Sequence, residues 1–136
     1  MKIIITGSEG LIGKGISYNL KSLGHDIIKL DLSLGHDLSN EEFVKEFFRE
    51  NQACALINLF AKMHHVDGRQ KKSNLFNVTL DSFNSYLQVN LTSLFSVCRE
   101  FARNNIEGSI VNFSSTYGVV SPPLDIYDYE EKHIGY

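Results

Sequence analysis

The sequence predicts an α/β fold: a doubly wound parallel sheet in three α/β/α layers, incomplete at its C-terminal side. Three observations carry that prediction. Short, β-branched apolar runs alternate with helical patterns, the order that crossover-connected parallel strands require. The first run empties directly into a glycine-rich turn ahead of a helix. The chain holds four such runs but no run of strands without a helix between them.

The elements follow in order. KIIIT, opening the chain after Met1, is a continuous apolar run halted by glycine, as a buried parallel strand should be. Over residues 11–23, Ile12, Ile16, Leu20 and Leu23 recur at helical spacing, and Gly24 supplies a C-terminal stop. HDIIKLDL is the second strand. SNEEFVKEFFREN is a helix whose start is marked by Ser39 with Glu42 as a capping box, and its buried face is Phe43, Val44, Phe47 and Phe48. The segment LGHDLS between them is a candidate for a vestigial extra strand. ACALINL is the third strand, and the polar residues 62–78 are a loop or insertion. From Thr79 to Asn104 one long helix is expected, with Phe83, Leu87, Leu91, Leu94, Cys98 and Phe101 as its stripe. GSIVNFSS is the last strand.

Composition narrows the function. At 136 residues the chain is one domain, 1–136, with 43% hydrophobic residues and a net charge of −3. That charge argues against a nucleic-acid surface, which needs a basic stripe; Arg69, Lys71 and Lys72 read as a solvated loop. No apolar run approaches membrane-spanning length, and the opening MKIIIT is too short for a signal-peptide core. Cys54 and Cys98 lie in apolar segments and suggest no disulfide framework, which fits a reducing cytoplasm. His64, His65 and Asp67 do not make a metal site, because adjacent side chains diverge and zinc needs three or four convergent ligands.

The turn TGSEGLIG places Gly7, Gly10 and Gly13 between a strand and a helix. Such a turn brings backbone close to a diphosphate, whose charge then rests on the helix N-terminus; glycines at this spacing also serve plain close packing of helix on strand. Asp31 ends the second strand, where a carboxylate either accepts from ribose hydroxyls or is a simple strand-end acid. A carboxylate there repels a 2′-phosphate, so the Rossmann-type reading favours NAD over NADP. Lys14 or a loop residue could still serve a phosphate.

With these motifs the sequence resembles the N-terminal portion of the short-chain dehydrogenase/reductase family. The Thr-Gly-x-x-Gly-x-x-Gly spacing is similar to the extended branch, which includes sugar-nucleotide epimerases and dehydratases, while later motifs resemble the classical branch. The resemblance implies cofactor contacts from Thr6, Gly7, Glu9, Gly10, Leu11, Ile12 and Gly13. It implies that Asp37 and Leu38 flank the adenine, although they follow Asp31 too closely for the usual crossover helix. Asn58 matches the first residue of the family's Asn-Asn-Ala-Gly segment. Leu59, Phe60 and Ala61 depart from it, with Ala61 keeping the role of passing backbone along the cofactor.

Asn90 lies within the apolar stripe of the long helix, where an asparagine sacrifices helix propensity and needs interior partners. It resembles the family's helix asparagine, which holds a water in a proton relay. In GSIVNFSSTYG, Ser115 matches the catalytic serine, which hydrogen-bonds a substrate oxygen as charge develops there. Members then supply Tyr-x-x-x-Lys, in which the lysine lowers the tyrosine pKa and binds the nicotinamide ribose. Tyr117, Tyr127 and Tyr129 lead to Ser121, Glu131 and His133 instead, and Tyr136 is the final residue. Tyr136 is therefore expected to be the catalytic tyrosine of a longer enzyme, with SPPLDIYDYEEKH as an inserted flap. The resemblance implies an NAD(P)-dependent oxidoreductase acting on a hydroxyl or carbonyl of a small molecule, loosely of the kind found in bacterial surface-sugar biosynthesis. This chain, lacking the lysine, is expected to be incompetent, and the full-length protein to be a homo-oligomer. Rival expectations are a nucleotide-sugar epimerase or dehydratase, or a non-catalytic NAD-binding module.

Overall fold

A computed structural model describes residues 1–63, 76 and 78–120. Four strands, β1 (Lys2–Thr6), β2 (Asp26–Leu30), β3 (Ala55–Asn58) and β4 (Ser109–Asn112), form one parallel sheet in the order β2-β1-β3-β4. The register sets Thr6 level with Leu30 and Asn58, and Asn58 level with Asn112. The chain runs outward from β1 to β2, then crosses back over β1 to β3. The winding direction reverses between β1 and β3, and a crevice opens where their carboxyl ends part.

Alternation along β1 divides the core. Ile4 joins Leu30, Leu38, Val44, Phe48, Leu56, Val97 and Phe101 in one buried cluster, while Ile3 and Ile5 face the other side. The cluster lies beneath helices α2 (Glu41–Glu50) and α4 (Leu94–Asn104), whose Phe48 and Phe101 rings meet edge to face at 6.0 Å. On the rim of the same two helices, Arg99 bridges Glu41 and the buried Glu100. Among the described residues, β4 is an edge strand exposed along its whole length.

Several local expectations are corrected. Helix α1 (Leu11–Ser22) buries Gly13 and Ser17 with Ile16 and Leu20 half-buried, and leaves Ile12 and Leu23 outside, because the close approach of Gly13 to the turn fixes which face meets the sheet. LGHDLS is no strand: Leu32–Leu34 make a single 3-10 turn ended by Gly35 at φ +85°. Helix α2 is capped by Asn40, not Ser39. The Asn40 side chain accepts from the Glu42 and Phe43 amides, whereas the Ser39 hydroxyl is taken by Asp37 at 2.6 Å. Asn40→Ala should therefore lower stability by about 1 kcal/mol in urea denaturation, and Ser39→Ala by clearly less.

The long helix is not continuous. Between α3 (Leu80–Leu87) and α4, residues Gln88–Ser93 form a π-turn, in which the Ser93 hydroxyl donates to the Gln88 carbonyl at 2.8 Å. One extra residue in the turn rotates everything beyond it by roughly 100°. The buried stripe is accordingly Tyr86, Ser93, Ser96, Val97, Glu100 and Phe101, and Leu91, expected inside, is 62% exposed. Among the described residues no helix is long and apolar enough to cross a membrane.

Candidate functional site at the sheet's carboxyl edge

The glycine turn lines the crevice with backbone. Gly7 has φ +66°, and a Cβ on it would stand 2.6 Å from the Leu59 carbonyl carbon and the Phe60 nitrogen; the turn thus lies against the end of β3. Gly13 sits tighter still, since its Cβ would come within 2.1 Å of the Gly7 oxygen. Most amides of the turn are already committed. Ser8 donates to the Leu30 carbonyl, Glu9 to Asp31 Oδ2, and Gly10 to the Gly7 carbonyl. The first intrahelical bond of α1 is from Lys14 to Gly10. That leaves the amides of Leu11, Ile12 and Gly13 without an acceptor among the described residues, at the positive end of a 12-residue helix that has no side-chain cap. Ser8 adds a fully buried hydroxyl with no partner among the described residues.

Asp31 ties the turn to the loop after β2. Its Oδ2 accepts from the Glu9 amide at 2.9 Å, and its Oδ1 from the Ser33 amide at 2.9 Å and the Ser33 hydroxyl at 2.7 Å. A carboxylate offers about four lone-pair sites, so one on Oδ2 remains for an incoming hydroxyl. Burial alone would raise its pKa. The Glu9 and Ser33 hydrogen bonds, with help from the Lys14 charge, outweigh that and hold it below the ordinary carboxylate value. The group's contribution to folding is therefore present above the ordinary value and is lost as pH falls through the lowered one. Beside it, Lys29 neutralises the Glu9 carboxylate at 3.0 Å.

Strand ends carry a second polar assembly. The buried Thr6 hydroxyl donates to Asn58 Oδ1 at 2.9 Å, and the Asn58 amide donates to Asn112 Oδ1 at 2.8 Å and to Cys98 Sγ at 3.4 Å. Cys98 donates in turn to Asn112 Oδ1; burial pushes its thiol pKa up, against the pull of the two asparagines, and keeps the proton in place. Asn58 thereby welds three strands at one level. Asn112 was not singled out by sequence, and Cys98 only as an apolar member of the helix stripe, yet ALIN and SIVN, both ending in asparagine, held the signal.

Asn90 does find an interior partner. Its Oδ1 accepts from the Lys62 amide at 2.7 Å and its Nδ2 donates to the Lys62 carbonyl at 3.2 Å, clamping the peptide just beyond Ala61. Ser115 follows β4 and caps a single 3-10 turn, its hydroxyl accepting from the Tyr117 amide at 3.1 Å. Leu38 is a core residue, and the exposed Asp37 accepts from the Ser39 amide and hydroxyl, which lower its pKa. The structure thus sets Gly7 against Leu59 and Phe60, links Thr6 to Asn58, joins Glu9 to Asp31, and couples Asn90 to Lys62 beyond β3. Tyr136, His64, His65, Asp67 and the expected flap lie outside the described residues. Among the described residues no group of acids, histidines and cysteines could hold a metal ion.

Comparison with known proteins agrees with this fold. The sequence profile described as short chain dehydrogenase matches residues 32–127, a stretch holding Asn58, Asn90 and Ser115 but not the glycine turn. A solved small-chain dehydrogenase superposes with a TM-score of 0.78 at 16% identity, covering 90% of this chain and 63% of its own. The short chain dehydrogenase from Leptospira borgpetersenii with bound NAD+ gives 0.76 at 22% identity, covering 94% of this chain and 56% of its own. A small-chain dehydrogenase in complex with NADPH gives 0.70 at 17% identity, covering 85% and 51%. At such identities the likeness is one of fold, and this chain spans between half and two thirds of each of these structures. No curated protein sequence matches it.

Proposed function

Since the chain belongs to the short chain dehydrogenase family, we propose that it binds a nicotinamide dinucleotide, NAD in preference to NADP, in the crevice between β1 and β3. The observation that carries this reading is the open set of amides at Leu11, Ile12 and Gly13, beside a turn where a Cβ on Gly7 or Gly13 would fill the space that backbone needs. These donors hold the diphosphate, and the remaining lone pair of Asp31 receives a ribose hydroxyl. The same negative charge disfavours a 2′-phosphate. Backbone from Asn58 to Ala61 runs along the cofactor, and the peptide clamped by Asn90 keeps that stretch in place. Asn90 is here a positioning residue, because its side chain is committed to Lys62.

When bound, the nicotinamide supplies or accepts a hydride. Ser115 hydrogen-bonds the substrate oxygen, and Tyr136 exchanges its proton, in the oxidation of a hydroxyl or the reduction of a carbonyl. The substrate class we favour is a sugar or sugar derivative used in surface-polysaccharide synthesis, on the strength of the glycine spacing joined to the serine strand.

The test is Asp31→Ala. NADH affinity should fall about tenfold, as expected for loss of one charge-assisted hydrogen bond and a loosened turn, while NADPH affinity holds or rises. Equal losses for both cofactors would remove Asp31 from the ribose.

A further inference from the structure

Lys62 is the half-buried cation at this crevice that the proposed chemistry leaves unused. Its ammonium is held from two sides. Nζ donates to the Ser85 hydroxyl at 2.9 Å and stands 5.5 Å from the centre of the Tyr86 ring. Ser85 spends its own proton on the Ser82 carbonyl at 2.7 Å, so it offers Lys62 only lone pairs. The backbone of Lys62 is fixed by both arms of Asn90. Every ion pair among the described residues draws its cation from Lys29, Lys45, Arg49, Arg99 or Arg103, and none from Lys62. Asp81, the acid one turn before Ser85 on α3, makes none with Lys62.

A half-buried ammonium with no carboxylate partner among the described residues is costly to retain for packing alone, and methionine would fill the same volume. One of its three donors is satisfied by an oxygen, and Tyr86 offers only the face of a ring. The position is at the carboxyl end of β3, four residues beyond Asn58, where ligands enter open parallel sheets. We propose that Lys62 recognises an anionic substrate, its ammonium receiving a carboxylate or phosphate oxygen of the molecule oxidised or reduced. This rests on the dehydrogenase reading and adds a charge requirement to it.

The test uses two pairs of carbonyl compounds that differ in one anionic group: dihydroxyacetone phosphate against dihydroxyacetone, and pyruvate against its amide. Each is titrated calorimetrically into the protein saturated with NAD+, which cannot reduce the ketone, and an unchanged NADH absorbance confirms that no hydroxyl is oxidised during the titration. In the unaltered chain at least one anion should bind about tenfold tighter than its neutral partner, and the pair that discriminates distinguishes phosphate from carboxylate. Lys62→Met should erase the difference and Lys62→Arg should keep most of it. Lys62→Gln serves as a second neutral variant should the methionine protein not fold. The proposal is overturned if charged and neutral partners bind alike in the unaltered chain, absence of binding included, or if both neutral variants still discriminate. Failure of the unaltered chain to bind NAD+ in the same titrations would instead overturn the dehydrogenase reading.

Discussion

Gly13→Ala is expected to destabilise the fold by roughly 3 kcal/mol and to bring NADH binding below detection. The added Cβ would meet the Gly7 oxygen at 2.1 Å and the Ser8 Cα at 2.8 Å, both main-chain atoms that move only if the turn opens. Alanine gains about 1 kcal/mol over glycine in helix propensity, too little to offset that collision. Gly15→Ala is the internal control. It lies in the same helix with nothing within 4 Å of its Cβ, so it should stabilise by up to about 1 kcal/mol and leave NADH binding intact. Denaturant midpoints and NADH fluorescence on the two variants check both halves of this statement.

Asn58→Ala should be nearly as damaging, by about 2–3 kcal/mol, because it strips two strong hydrogen bonds from a residue only 4% exposed. The Thr6 hydroxyl is left with a contact of 3.5 Å to the Ile57 carbonyl, and Asn112 keeps only the weak Cys98 donor. Thr6→Val removes one arm and should cost about 1 kcal/mol. The double variant Thr6→Val/Asn58→Ala should then be clearly less destabilised than the sum, since both act on one bond. Additive losses in urea unfolding would mean that the strand ends are not coupled through Asn58.

Much of this arrangement was legible before any coordinates. The alternation of β-branched runs with helices fixed strand number, parallel pairing and the placing of the glycine turn, because each reflects a short-range rule that the sheet has no reason to override. The departures have physical causes of their own. Leu91 was expected inside because a uniform 3.6-residue period was assumed, and the π-turn at Gln88–Ser93 shifts that period partway along. Ser39 and Asn40 are both good caps, and the choice fell to Asn40 because Asp37 had captured the serine. Leu38 is drawn inward by the cluster of Phe48 and Val44. Asn90 needed an interior partner, but its identity, the Lys62 peptide, depends on two segments distant in sequence meeting.

Backbone amide shifts from a ¹⁵N-labelled sample titrated with NADH test the central claim most directly. The largest saturable changes should fall on Leu11, Ile12 and Gly13, with smaller ones at Glu9, Ser33 and Ala61. Changes centred on α2, α4 or β4, or none at saturating NADH, would contradict it.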